Sequence, residues 1–64
     1  MVNKVVVYYV SGNEVTYLAE QARDFWDEYD SAKRCKRKFI TVNKRESQVE
    51  INVNNIETVE VFRD

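Results

Sequence analysis

The sequence predicts an α+β fold, an antiparallel sheet of about five strands in the order β-β-α-β-β-β with one amphipathic helix packed on one face. Two observations carry this. Leu18, Ala22, Phe25, Tyr29 and Ala32 recur at intervals of four, three, four and three, the spacing of one helical face. On both sides of that segment, short runs rich in Val, Ile, Tyr and Phe are separated by turn residues, the pattern of strands.

Lys4 to Val10 is, after its leading lysine, β-branched or aromatic throughout, so both faces of this first strand are apolar and a central position is expected. Ser11-Gly12-Asn13 supplies turn chemistry, with Gly12 free to take positive φ. Glu14 to Tyr17 returns as the second arm of a hairpin, with Val15 and Tyr17 inward. The helix is expected over roughly Leu18 to Lys36. Its first part gathers Glu20, Asp24, Asp27, Glu28 and Asp30, and Lys33, Arg34, Lys36, Arg37 and Lys38 close it, an order that complements the helix dipole. Asp30 stands one turn before Arg34, the favourable orientation for a pair.

Phe39 to Asn43 reads as a strand, and Lys44-Arg45-Glu46-Ser47 as a polar turn. Gln48 to Asn54 alternates strictly, with Val49, Ile51 and Val53 inward. Asn54-Asn55 can turn, since Asn tolerates left-handed φ. Ile56 to Phe62 is the last strand, with Val59 and Val61 inward. The inward set adds Val5, Val7, Tyr9, Ile40 and Val42 to the helical stripe. One helix covers one face of a sheet, which leaves Val6, Tyr8, Val10, Thr41, Glu60 and Phe62 on the other. An uncovered apolar face is a contact surface more often than bare solvent surface, so self-association is expected there or at an open sheet edge, and a homodimer is one outcome.

Composition narrows the function classes. The 64 residues have room for a single domain, 1-64, near the lower size limit for a self-sufficient core. They are 44% hydrophobic with a net charge of −1, unlike a disordered chain. No apolar run approaches the ~20 residues that span a bilayer, so no membrane association is expected. The apolar run after Met1 is too short for a secretory h-region. The single Cys35 fits a reducing compartment, and a cytoplasmic location is the expectation.

There is no His and no second Cys, which removes the usual neutral-pH base and the imidazole or thiolate zinc sites. No cofactor is expected, no catalytic constellation is found, and enzyme activity is not expected. Asp24, Asp27, Glu28 and Asp30 could meet as a hard-cation site, but they lie on a helix rather than a calcium loop and read as a solvated face. Cys35 lies in a basic run of the kind that makes a thiol reactive. Three residues after Ala32, it also continues the buried stripe, and the inert reading is preferred.

Three features remain as candidate binding determinants. Trp26 stands beside the stripe at the edge of the buried face and, with Tyr8 and Phe62, forms the expected partner-binding set, because aromatic residues anchor interfaces. The basic run Lys33, Arg34, Lys36, Arg37 and Lys38, joined by Lys44 and Arg45 if the hairpin end lies nearby, could grip phosphates. The pI of 5.4 opposes nucleic-acid binding as the main task.

The stretch Val49 to Val61 is similar to the closing strands of many small bacterial and phage-encoded proteins, in which a hairpin ends in an I-N-x-x-x-I-x-x-I rhythm. With the N-terminal hairpin, the chain resembles accessory proteins of phages and other mobile elements. That resemblance implies a genomic context and no particular site residue. The leading expectation is a small non-catalytic protein-binding module, of the kind that inhibits or regulates a larger host protein. A nucleic-acid-binding protein using Lys33 to Lys38 is the first alternative. The second is an oligomer that sequesters a small molecule such as a nucleotide in a pocket between subunits, lined by Tyr8, Trp26 and basic residues.

Overall fold

The computed structural model describes residues 1–64. Its elements follow the expected order: β1 (Val2–Tyr9), β2 (Glu14–Leu18), α1 (Ala19–Cys35), β3 (Phe39–Asn43), β4 (Gln48–Asn52) and β5 (Ile56–Arg63), with a 3-10 turn at Val53–Asn55 before β5. The fold is α+β, one helix packed against antiparallel strands. The five strands divide into a three-stranded sheet, β2-β1-β5, and a separate β3-β4 hairpin. The strand with apolar residues on both faces, β1, is the central one.

The β1-β2 hairpin is closed by Gly12, whose φ of +95° suits a residue without a Cβ. The Gly12 amide donates to the Tyr9 carbonyl at 2.9 Å, and the Tyr9 amide donates to the Asn13 carbonyl at 2.9 Å. Two irregularities interrupt the β1-β5 register, one between Val2 and Lys4 and one between Tyr8 and Tyr9. The first leaves Asn3 unpaired on β1, and the second leaves Glu57 unpaired on β5. Each extra residue switches the alternation by one, as a bulge does. This is how Val2 joins Val5 and Val7, and Ile56 joins Val59 and Val61, on the side facing the core.

Helix α1 begins with no break after β2. Leu18 is its N-cap and makes no side-chain capping bond, and Ala19 turns the chain at φ 52°. At the other end Lys36 takes a left-handed conformation, φ 56°. The Arg37 amide donates to the Ala32 carbonyl at 2.9 Å and the Lys36 amide to the Lys33 carbonyl at 3.4 Å. This is a Schellman ending with lysine where glycine is usual.

The core is assembled from all three layers: Val5, Val7 and Tyr17 of the sheet, Ala22, Phe25 and Ala32 of the helix, and Ile40 and Ile51 of the hairpin. Ile40 faces Ile51 across the hairpin, and Val42 faces Val49. The hairpin therefore closes the core from beside the sheet instead of extending it. It is tied in by the Val53 amide, which donates to the Lys38 carbonyl at 2.9 Å. Asn52 starts the 3-10 turn by accepting the Asn54 amide on its side-chain oxygen at 2.9 Å, so β4 ends two residues before the expected Asn54.

Three burial expectations are corrected. Leu18 is 60% exposed, because it is the last residue of β2, not the first of the helical stripe, and strand alternation from buried Tyr17 turns it outward. Val15 shares Tyr17's side of β2 but is exposed, near the sheet end that holds the Tyr9–Asn13 turn. Cys35 does not continue the buried stripe and is exposed. No helix is long and apolar enough to cross a membrane.

Candidate interaction surface

The face of the three-stranded sheet turned away from α1 is covered by nothing in the fold. Registers across β1 define it: Lys4 is flanked by Leu18 and Phe62, Val6 by Thr16 and Glu60, and Tyr8 by Glu14 and Thr58. These nine residues form three rows of three. Of the side chains expected on this face, Val6, Tyr8, Glu60 and Phe62 are there. Val10 lies in the turn beyond β1, and Thr41 belongs to the separate hairpin. Lys4, Glu14, Thr16, Leu18 and Thr58 are additions. Leu18 was legible in principle, since alternation from an inward Tyr17 predicts it, but it also fits the helical spacing.

The rows differ in chemistry. The first pairs two exposed apolar side chains, Leu18 and Phe62, with a lysine between them, and the Lys4 ammonium sits 4.3 Å above the Phe62 ring centroid. A cation over an aromatic face is attracted by the ring quadrupole. In the centre Val6 is only 6% exposed, screened by its neighbours on the same face. The other two rows carry Glu60 and Glu14. The Tyr8 hydroxyl donates to the Glu60 carboxylate at 3.2 Å. That hydrogen bond is the main reason the Tyr8 phenol is raised above its ordinary 10.0, with smaller contributions from desolvation and the charges of Glu60 and Glu14. The face is thus cationic and apolar at one end and acidic at the other.

Trp26 is not part of this surface. It packs against the core from the helix side, 6.0 Å from Tyr29 between ring centroids, with the Arg63 guanidinium 5.6 Å from its own ring. Arg63 neighbours Phe62 on β5 and so reaches the opposite face. The expected partner-binding set is therefore divided, with Tyr8 and Phe62 on the outer face and Trp26 on the inner one.

The basic residues are not gathered into one patch. Arg34 pairs with Asp30 at 3.2 Å as the spacing predicts, and Arg37 pairs with Glu28 at 3.2 Å. The Lys33 ammonium lies 5.4 Å from the Tyr29 ring centroid. Lys44 and Arg45 occupy the far turn of the β3-β4 hairpin, six residues of extended chain, or roughly 20 Å, beyond Lys38. Only Lys36 and Lys38 of the helix-end run keep their ammonium groups away from any such partner.

An open groove of about 510 Å³ runs between α1 and β3. Gln21, Asp24, Asp27, Glu28 and Ser31 line its helix side, and Arg37, Thr41 and Asn43 the other. Asp24, Asp27, Glu28 and Asp30 do not converge there as a cation site, since Asp30 lies outside the groove, paired with Arg34, and Glu28 is held by Arg37. No group of three or more acidic, Cys or His side chains is placed to hold a metal ion. A second depression of about 450 Å³ lies at the sheet end beyond the helix, lined by Tyr9, Val10, Val15 and Asn55 among others.

Comparison of the chain with protein-family models, curated proteins and solved structures finds no match.

Proposed function

We propose that the chain is a small non-catalytic protein-binding module that contacts another polypeptide through the outer face of its three-stranded sheet. One observation carries this reading: Leu18, 60% exposed, and Phe62, 37% exposed, flank Lys4 on a face that no element covers. Apolar side chains gathered on one face, with charged groups around them, are what protein interfaces bury. The charge difference between the two ends would steer and orient the encounter more than it would add affinity. Regulation of a larger host protein belongs to the same proposal, and the resemblance of Val49 to Val61 to mobile-element accessory proteins bears only on its genomic context.

The test is recovery of a stoichiometric polypeptide by the purified chain, followed by binding measurements on face variants. Leu18→Glu and Phe62→Glu should each weaken binding by more than about 1 kcal/mol, the scale of an interface anchor. Lys38→Glu, on another surface, should leave it unchanged. Recovery of nothing, including a second copy of the chain, or binding insensitive to both face variants, overturns the proposal.

A further inference from the structure

We infer that the polypeptide covering the outer face is a second copy of this chain, packed face to face about a two-fold axis so that Lys4 of each copy meets Glu60 of the other. The inference rests on the reading of that face as the binding surface. Neighbouring strands are about 4.8 Å apart and same-face residues along a strand about 6.7 Å apart. The nine-residue grid is therefore roughly 10 by 13 Å, close enough to square that a diagonal two-fold axis lays one sheet across the other near a right angle. Orthogonal packing is one of the two standard ways in which sheets stack.

Charge and apolar pattern select among the two-fold arrangements centred on Val6. An axis along the strands sets Lys4 against Lys4. An axis across the strands sets Glu60 against Glu60 and puts Leu18 over Glu14. The diagonal through Leu18 and Thr58 lays Phe62 over Glu14. The diagonal through Phe62 and Glu14 alone places Lys4 over Glu60 twice, with Phe62 on Phe62 and Leu18 over Thr58. The two Glu14 carboxylates then meet only at the outer corner, where water screens them.

The sheet edges compete poorly for the same role. On β5 the edge carries Glu57, left unpaired by a bulge, together with Glu60, and β2 is only five residues long. Bulges, charges and shortness are the devices that keep edge strands from pairing. A face of this size is below the ~800 Å² per partner of a standard interface, so the dimer belongs to the weak class and is read at high concentration.

Sedimentation equilibrium of the purified chain, taken up to millimolar concentration, should show the mass rising toward that of two chains. Lys4→Glu and Glu60→Lys should each raise the dissociation constant about tenfold or more. An equimolar mixture of the two should restore association, because the mixed dimer regains both pairs, as should the double variant. Circular dichroism confirms that each variant is folded. With Cys35 changed to Ser, Phe62→Cys should be joined between copies by a short bis-maleimide, since position 62 lies on the axis and stacked sheets are about 10 Å apart, and Glu57→Cys on the β5 edge should not. A monomeric mass throughout overturns the inference, as does a dimer that cross-links through position 57 only or is not rescued by mixing. If the chain is monomeric alone yet captures another polypeptide through Leu18 and Phe62, the second-copy inference falls and the binding proposal stands.

Discussion

The Tyr17 and Phe25 rings are stacked, with centroids 4.9 Å apart and planes 14° from parallel, and this contact joins the last turn-proximal part of β2 to the helix that follows it. Phe25 stacks in turn on Tyr29 at 6.0 Å. The helix leaves β2 without a side-chain cap, and the stack is one of the contacts, with buried Ala22 and Ala32, that hold it over the sheet.

Phe25 is 1% exposed and belongs to the core cluster shared by the sheet, the helix and the hairpin. Truncation to Ala should cost about 3–5 kcal/mol, enough to unfold a domain this small. Phe25→Leu keeps most of the volume and loses the stack. It should lower the urea midpoint while leaving a cooperative transition, and an unchanged midpoint would show that the stack contributes nothing.

Burial, with a smaller contribution from neighbouring Tyr9, pushes the Tyr17 phenol up to about 12. Burial also raises Tyr9 above its ordinary value. The folded chain therefore holds these protons more tightly than the unfolded chain, whose tyrosines titrate near 10.0. The resulting stability is fully present below pH 10 and is lost as the pH rises from about 10 toward 12. Urea midpoints measured across that window should fall, and Tyr17→Phe should flatten the fall. A decline of equal slope in the variant would assign it elsewhere.

Two non-glycine residues hold left-handed backbone, Ala19 at φ 52° and Lys36 at φ 56°. That conformation costs an L-residue about 1–2 kcal/mol, and glycine's greater chain entropy offsets about 0.5–1 kcal/mol of the relief. Lys36→Gly and Ala19→Gly should each stabilise the fold by about 0.5–1 kcal/mol, seen as a higher melting temperature. A lower melting temperature for Lys36→Gly would mean that its side chain matters more than its backbone.

The Arg37–Glu28 pair links the start of the hairpin to the helix, with Arg37 also donating to the Glu28 carbonyl at 3.4 Å. Both side chains are more than 40% exposed, so Glu28→Gln should cost no more than about 1 kcal/mol, and less at high salt. A larger, salt-independent loss in urea titration would reveal a role beyond charge.

Leu18→Thr offers the clearest contrast between helical spacing and strand geometry. As part of a buried stripe, Leu18 would cost about 2–5 kcal/mol on truncation. As an exposed strand residue, its replacement by a β-branched polar side chain should change stability by within about 0.5 kcal/mol. Thermal melts of the single variant decide between the two.

Much of the fold was legible because the signals are local. The inward placing of Val49 and Ile51 follows from alternation within one strand, and that of Ala22, Phe25 and Ala32 from the turn of one helix, so neither needs a distant partner. The central place of β1 follows from apolar residues on both of its faces. Leu18 shows where local signals run out, since it satisfies the helical spacing and the strand alternation equally, and only the buried position of Tyr17 ranks one over the other.

What the sequence by itself determined about this protein was the kind and order of its elements and most of the residues that face inward, because backbone periodicity acts within each segment. The tertiary structure decided which segments share a sheet. Pairing of β1 with β5 joins residues 47 to 61 positions apart, from Tyr9 with Ile56 to Val2 with Arg63, while β3 and β4 pair only with each other. It also decided that Tyr8 and Phe62 share a face while Trp26 lies behind it, and that Lys4 stands between two exposed apolar side chains. Those relationships depend on register between distant strands, where a bulge at Asn3 or Glu57 turns every later side chain to the opposite side.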